Sequence, residues 1–114
     1  MNKYHAKKVW VDNLLFASQA EATRYAALKL MERMGLIEDM KMQVPFELAP
    51  SVIIDGRKKP SLRYFADFTY MEHGKLVIED VKGIRTPVFT IKKHLMKSVL
   101  GLDILETGLT EKRR

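Results

Sequence analysis

Leu62-Arg63-Tyr64-Phe65-Ala66-Asp67-Phe68-Thr69-Tyr70-Met71-Glu72-His73-Gly74-Lys75-Leu76-Val77-Ile78-Glu79-Asp80-Val81-Lys82 is the stretch whose reading decides the fold. Aromatic and β-branched residues fill its two halves and Glu72-His73-Gly74 is turn chemistry, so it reads as strands over 62–70 and 76–82 joined as a hairpin. Alternation puts Ile78, Asp80 and Lys82 on one face of the second strand and Val77, Glu79 and Val81 on the other. Pairing through the turn then brings Asp67 beside Asp80. A carboxylate inside an aromatic run is costly to bury alone. Asp67 therefore needs a cation: a metal ion, or an ion pair with Arg63 or Lys82 of purely structural use.

Upstream, residues 8–16 read as two short strands about an Asp12-Asn13 turn, both residues tolerant of positive φ. Ser18-Gln19-Ala20-Glu21 matches a capping box and opens a helix over 19–34, stopped by Gly35. Helical projection gathers Ala20, Ala27, Met31 and Met34 in one apolar sector, with Tyr25 and Leu28 along its edge and Glu21 beside them, leaning over whatever the helix packs on. Residues 40–48 alternate, with Met40, Met42, Val44, Phe46 and Leu48 on one side. This is a half-buried strand, and Pro45 argues for an edge or bulged position. Residues 51–54 and 62–70 flank Asp55-Gly56 and the insert Arg57-Lys58-Lys59-Pro60, a pattern that predicts a hairpin with an extended loop.

Downstream, Thr86-Pro87 is a helix start, and the helix runs to Leu100 before Gly101. Val88, Ile91, Leu95, Met96 and Val99 form its predicted buried stripe, with Lys92, Lys93, His94 and Lys97 across the other face. Residues 102–106 make a last short strand, and the basic tail 107–114 is expected to fray. The order is helix, three- to four-stranded mixed sheet, helix, strand: an α+β fold in a single domain over 1–114, with residues 1–16 as an N-terminal hairpin or arm.

The bulk numbers agree with one core. The chain has 114 residues, 46% hydrophobic and 30% charged, and no cysteine, so it can build neither a disulfide framework nor a Cys-based zinc site. No apolar run approaches the ~18 residues of a membrane span and no apolar signal segment follows the basic N-terminus. The expectation is a cytoplasmic protein with no membrane partner. Twenty Lys and Arg against fourteen Asp and Glu leave a formal charge of +6, and the bases are clustered, which favours a polyanionic partner.

Two close acids repel, and a hard cation such as Mg²⁺ relieves that repulsion. With a phosphodiester present, such an ion polarises the phosphate and acidifies water, while Lys82 holds the nucleophile or offsets developing charge. Glu21 is placed to complete the metal sphere or to orient the water, and the Val81 carbonyl to add a ligand. Glu79 is the competing acid, since a one-residue bulge would exchange it for Asp80. Arg85 and Thr86 at the helix start, with Lys92 and Lys93, are the candidate phosphate contacts, and Lys58 and Lys59 extend the basic surface.

Glu21 on the first helix, then Asp67, then Asp80-Val81-Lys82 on successive strands in an α-β-β-β-α-β order resemble the PD-(D/E)XK nuclease superfamily. Within it the chain looks most like small phage-associated domains akin to Holliday-junction resolvases. The resemblance spans residues 8–106, and Ala66 stands where the nominal pattern has Pro. It implies a restriction-endonuclease-like core in which Asp67 and Asp80 bind Mg²⁺ or Mn²⁺, Lys82 is the catalytic lysine and Glu21 the helix acid. Gln43 matches a position where that superfamily often carries a site-facing polar residue. The implied activity is metal-dependent endonucleolytic hydrolysis of branched DNA, in the host cytoplasm if phage-encoded, and the implied assembly is a homodimer. The alternative is a catalytically inactive DNA-binding or assembly module that keeps the same fold.

Overall fold

Turn residues set most element boundaries in the computed structural model, which describes residues 7–81 and 85–108. Asp12 and Asn13, at φ 52° and 63°, join β1 (Val9–Val11) to β2 (Leu14–Phe16). The helix α1 (Gln19–Arg33) opens on Ser18, whose Oγ accepts from the Glu21 N–H at 3.1 Å. The return leg of the predicted capping box reaches one residue further, with Glu21 Oε1 accepting from the Ala17 N–H at 3.1 Å. At the other end Gly35 takes φ 77°, and the N–H groups of Leu36 and Gly35 return to the Met31 and Glu32 carbonyls. That is a Schellman closure, and it is why the helix stops there.

β3 (Glu38–Ala49) is followed by β4 (Val52–Ile54) and β5 (Arg57–Lys59), which pair with each other about Asp55-Gly56. The hairpin predicted between residues 51–54 and 62–70 is therefore replaced. A two-residue turn at positive φ forces Ile54 against Arg57 and leaves the longer strand free to find another partner. β6 (Leu62–Glu72) takes β3 instead, with Met42 opposite Phe68 and Val44 opposite Ala66. β7 (Lys75–Val81) follows through His73-Gly74, as the sequence predicts.

From β7 the chain crosses through α2 (Pro87–Leu100) to β8 (Leu105–Thr107), which lies parallel to β7. The sheet order is β3-β6-β7-β8, a mixed four-stranded sheet in an α+β fold, with Pro45 on the edge strand where it interrupts no second ladder. Thr107, expected in the frayed tail, instead pairs with Val81 and donates its hydroxyl to Glu79 at 2.8 Å. No helix among the described residues is long and apolar enough to cross a membrane.

The helices cover opposite faces. Glu79 and Asp80 are neighbours on β7 and so point to opposite sides. Glu79 meets Arg24 of α1, whereas Asp80 meets Tyr64, whose ring lies 6.3 Å from that of Phe89 of α2. One core joins Phe16, Tyr25, Leu28, Ile37, Phe68 and Tyr70; the other joins Leu48, Tyr64, Ala66, Ile78, Phe89 and Met96.

This division corrects the one-sided alternation predicted for residues 40–48. Met40 and Met42 pack in the α1 core, but Phe46 and Leu48 pack in the α2 core, and β6 divides likewise between Phe68 and Ala66. The changeover falls at Gln43, whose φ of 52° is a left-handed value inside a strand. It lies between the pairs Met42–Phe68 and Val44–Ala66, level with Asp67.

The helix faces also turn from their predicted setting. On α1 the buried residues are Glu21, Ala22, Tyr25 and Leu28, while Met34 is exposed. Alanine carries too little apolar area to choose a face, so the large Tyr25 and Leu28 choose it. On α2 Phe89 and Met96 are buried, and Val88, Ile91 and Val99 are exposed.

Candidate active site

The face changeover puts acids in one cleft. The cleft, of about 370 Å³, is lined by Ser18, Glu21, Tyr64, Asp67, Asp80 and Val81, and is closed at one side by Thr86 and Lys92 of the α2 end. Each acid arrives for a local reason. The N-terminal turn of α1 holds Glu21, the changeover in β6 presents Asp67, and alternation on β7 presents Asp80.

Asp67 Oδ2 accepts from the Val81 N–H at 2.8 Å, crossing from β6 to β7. Gln43 Nε2 bridges the other oxygens at long range, 3.4 Å from Asp67 Oδ1 and 3.5 Å from Glu21 Oε2. Tyr64 donates its hydroxyl to Asp80 Oδ1 at 2.7 Å. Arg63, the structural partner considered for Asp67, stacks instead over the Phe65 ring, 5.6 Å from its centroid.

The electrostatics follow. Burial, opposed by the Val81 N–H and reinforced by the charges of Asp80 and Glu21, pushes the Asp67 carboxyl up to about 7. Burial, then the hydrogen bond to Asp80, raises the Tyr64 phenol far above its ordinary range. The charges of Asp80 and Glu21 thus disfavour a further negative charge on Asp67, and a proton or a cation relieves that repulsion.

Among the described residues no three His, Cys, Asp or Glu side chains stand where they would enclose a metal ion. The donor set is nevertheless of the right kind for a hard cation: Asp67 and Asp80, hard oxygen ligands within mutual electrostatic reach, with Val81 on the same wall. Mg²⁺ and Mn²⁺ are commonly held by one or two carboxylates while water and phosphate oxygens supply the rest. The residues fit such a partly hydrated ion and do not form a closed protein cage.

Not every predicted residue comes to the cleft. Glu79 is 0% exposed on the opposite face, where Arg24 grips it at 2.6 and 3.0 Å and Tyr70 donates at 2.7 Å. That decides between the two adjacent acids: Asp80 faces the cleft and Glu79 does not. Arg85 and Lys93 both bind Glu106, which they draw below its ordinary range against the opposing effect of burial. Those two cations already have a protein anion, whereas Lys92 lines the cleft. Thr86 lines it too, and its Oγ1 caps α2 by accepting from the Phe89 N–H at 3.1 Å. Lys58 and Lys59 sit on β5, exposed and away from the cleft wall. Lys82 lies outside the described residues.

Two participants escaped the sequence reading. Neither is singled out by spacing or motif: the Tyr64 hydroxyl orients Asp80, and Arg24 neutralises Glu79. A long amphipathic side chain three residues after Glu21 is the one available signal for Arg24, and it names no partner.

The fold and cleft define an α+β protein with acids collected where a mixed sheet changes faces. The chain belongs to the family described as Protein of unknown function (DUF1064), which matches residues 1–101. No curated protein and no solved structure matches it.

Proposed function

We propose that this protein is a metal-dependent DNA endonuclease of the PD-(D/E)XK kind, selective for branched DNA such as Holliday junctions. The observation that carries the reading is the meeting of Asp67 and Asp80 in one cleft, with Glu21 close enough to raise the Asp67 carboxyl further. Asp67, Asp80 and the Val81 carbonyl would hold Mg²⁺ or Mn²⁺. When bound, such an ion supplies Lewis-acid polarisation of a phosphate and acidification of water.

The chain's own residues do the remainder. The Val81 N–H and Tyr64 hydroxyl orient the two acids, so that neither must reorganise when a phosphodiester arrives. Glu21, held by the Ala17 N–H, is positioned to accept a proton from an attacking water. Lys82 is assigned the neutralisation of charge growing on the phosphate, and Lys92 with the Thr86 helix end the positioning of the strand. A cytoplasmic location and a homodimer, which would deliver paired cuts to a junction, belong to the same proposal.

The test is incubation of the folded protein with plasmid and with a four-way junction under Mg²⁺ and Mn²⁺. Junction cleavage that disappears in Asp80→Asn and Lys82→Ala supports it; an intact junction under every metal sinks it.

One observation favours a second reading, a DNA-binding or assembly module without catalysis. Asp67, Asp80 and Glu21 each already accept a protein hydrogen bond, and no three-ligand group is formed among the described residues. Mn²⁺ titration separates the two: the enzyme binds the ion and loses it in Asp80→Asn, whereas the module binds DNA with no divalent dependence.

A further inference from the structure

The β4–β5 hairpin packs principally on itself and projects from the sheet between β3 and β6. All six of its strand residues are exposed, Ile53 by 74%. An isolated two-stranded hairpin is marginal in water and normally hides one face. This one hides neither, because its register opposes each apolar residue with a cation: Val52 to Lys59, Ile53 to Lys58, Ile54 to Arg57. Cross-strand partners share a face. Both faces are therefore half β-branched and half cationic, and Arg57, Lys58 and Lys59 make no ion pair among the described residues.

The position is as informative as the composition. Leu62, at the hairpin's exit, lines a small apolar groove with Leu48, Val88 and Ile91. Val88 and Lys92 line that groove and the acidic cleft alike. Leu62 and Asp67 are five residues apart on β6, about 17 Å at the rise of a strand. A ribbon rooted at that distance, reached along a continuous wall, lies within two turns of duplex from a phosphate held at the cleft.

We infer that the β4–β5 hairpin is a nucleic-acid arm that enters a groove of duplex DNA beside the cleft. Arg57, Lys58 and Lys59 meet phosphates and Ile53 meets sugar or base edges. The major groove of B-form DNA admits a two-stranded ribbon, and apolar side chains at such a position contact thymine methyls or wedge at a base step. Cations on both faces match a groove, whose two walls are phosphate; a flat anionic surface would be met by one face only. The inference takes its choice of partner from the proposed function but is independent of catalysis.

The test measures affinity of the full chain for a junction and for a plain duplex in chelator, where no cleavage occurs. Replacing Arg57, Lys58 and Lys59 together by Ala should flatten the dependence of log K on log salt by about 2 to 3, near 0.9 for each lost phosphate contact. Ile53→Ser should weaken binding about fivefold at every salt concentration with the slope unchanged, as removal of a buried apolar contact does. Thermal melts of the variants confirm that they fold. An RNA duplex of the same sequence should compete poorly, because its major groove is too narrow for a ribbon.

Wild-type binding with unaltered slope in the triple variant overturns the arm alone and leaves the cleft reading intact. Absence of any wild-type binding in chelator overturns the arm, while the cleft reading stands or falls separately on junction cleavage under Mg²⁺ and Mn²⁺. Equal competition by RNA overturns groove entry. Variants that keep duplex affinity but lose self-association, or lose binding to phosphatidylserine vesicles, assign the hairpin to a second copy or to a lipid surface and overturn the proposal.

Discussion

Glu79 and Asp80 are consecutive residues, both buried, and the sheet separates their circumstances completely. On the α1 side Glu79 receives Arg24 through two contacts, Tyr70 and Thr107, so its charge is matched and each oxygen has donors. On the α2 side Asp80 receives Tyr64 and shares its cleft with Asp67 and Glu21. The first environment is finished; the second concentrates like charge and opens to solvent. The lesson is that a buried acid's company, more than its burial, separates a structural role from a chemical one.

The largest test of that contrast is functional. Asp80→Asn keeps the Tyr64 contact and the shape of the cleft while removing a charge, and should lower junction cleavage on the order of 10³-fold. The same change should move the melting temperature little, which a thermal scan beside the nuclease assay would check.

Glu79→Gln should do the reverse. Removing one partner of a buried ion pair leaves Arg24 beside uncharged oxygen, at a cost of about 3 kcal/mol, moderated because the guanidinium is partly exposed. Urea unfolding should show this loss. Cleavage per folded molecule should persist; if it vanished while the fold survived, the division between the two faces would be wrong.

Asp67→Asn sharpens the comparison through pH. Because the Asp67 carboxyl is raised in the folded state to about 7, the native protein holds a proton there that the unfolded chain releases near its ordinary value. Stability from this group is therefore complete in acid and declines as pH rises through the interval up to about 7. Asn mimics the protonated form, so the variant should be more stable than wild type by about 1 kcal/mol at pH 8 and no more stable at pH 4. Mg²⁺ should raise the wild-type melting temperature at pH 8 and have little effect at pH 5, with neither shift in the variant.

The smallest expected effect is Tyr64→Phe. The ring keeps its place against Phe46 and Phe89, while Asp80 loses a donor, costing about 1 kcal/mol of stability. Mn²⁺ affinity should fall severalfold by isothermal titration, since Asp80 is then less firmly oriented.

How much of this was legible varied with the range of the interaction. The Asp12-Asn13 and His73-Gly74 turns, the Ser18 and Thr86 caps and the Gly35 and Gly101 stops were readable because each is decided within a few residues by positive φ or by a side-chain oxygen. The approach of Asp67 to Asp80 was readable for the same reason, since a tight hairpin turn dictates register. The partner of β6 was not, because the continuous apolar run Val52–Ile54 and the longer, alternating β3 both read as strands that could pair with it. Nor was the buried face of α2: Val88, Ile91 and Phe89 are all apolar, and only docking on the sheet selected Phe89.

The sequence by itself determined both helices, the 12–13 and 72–74 turns and the acids that face one another across the 72–74 hairpin, because φ/ψ preference and strand alternation are local. Tertiary structure alone decided that Gln43 and Asp67 sit where two strands change faces, that Arg24 takes Glu79 out of contention, and that the Arg57–Lys59 strand stands clear of the core. Each depends on which distant surface is available to bury apolar area or match a charge, and that competition is settled only when α1, α2 and the sheet are packed together.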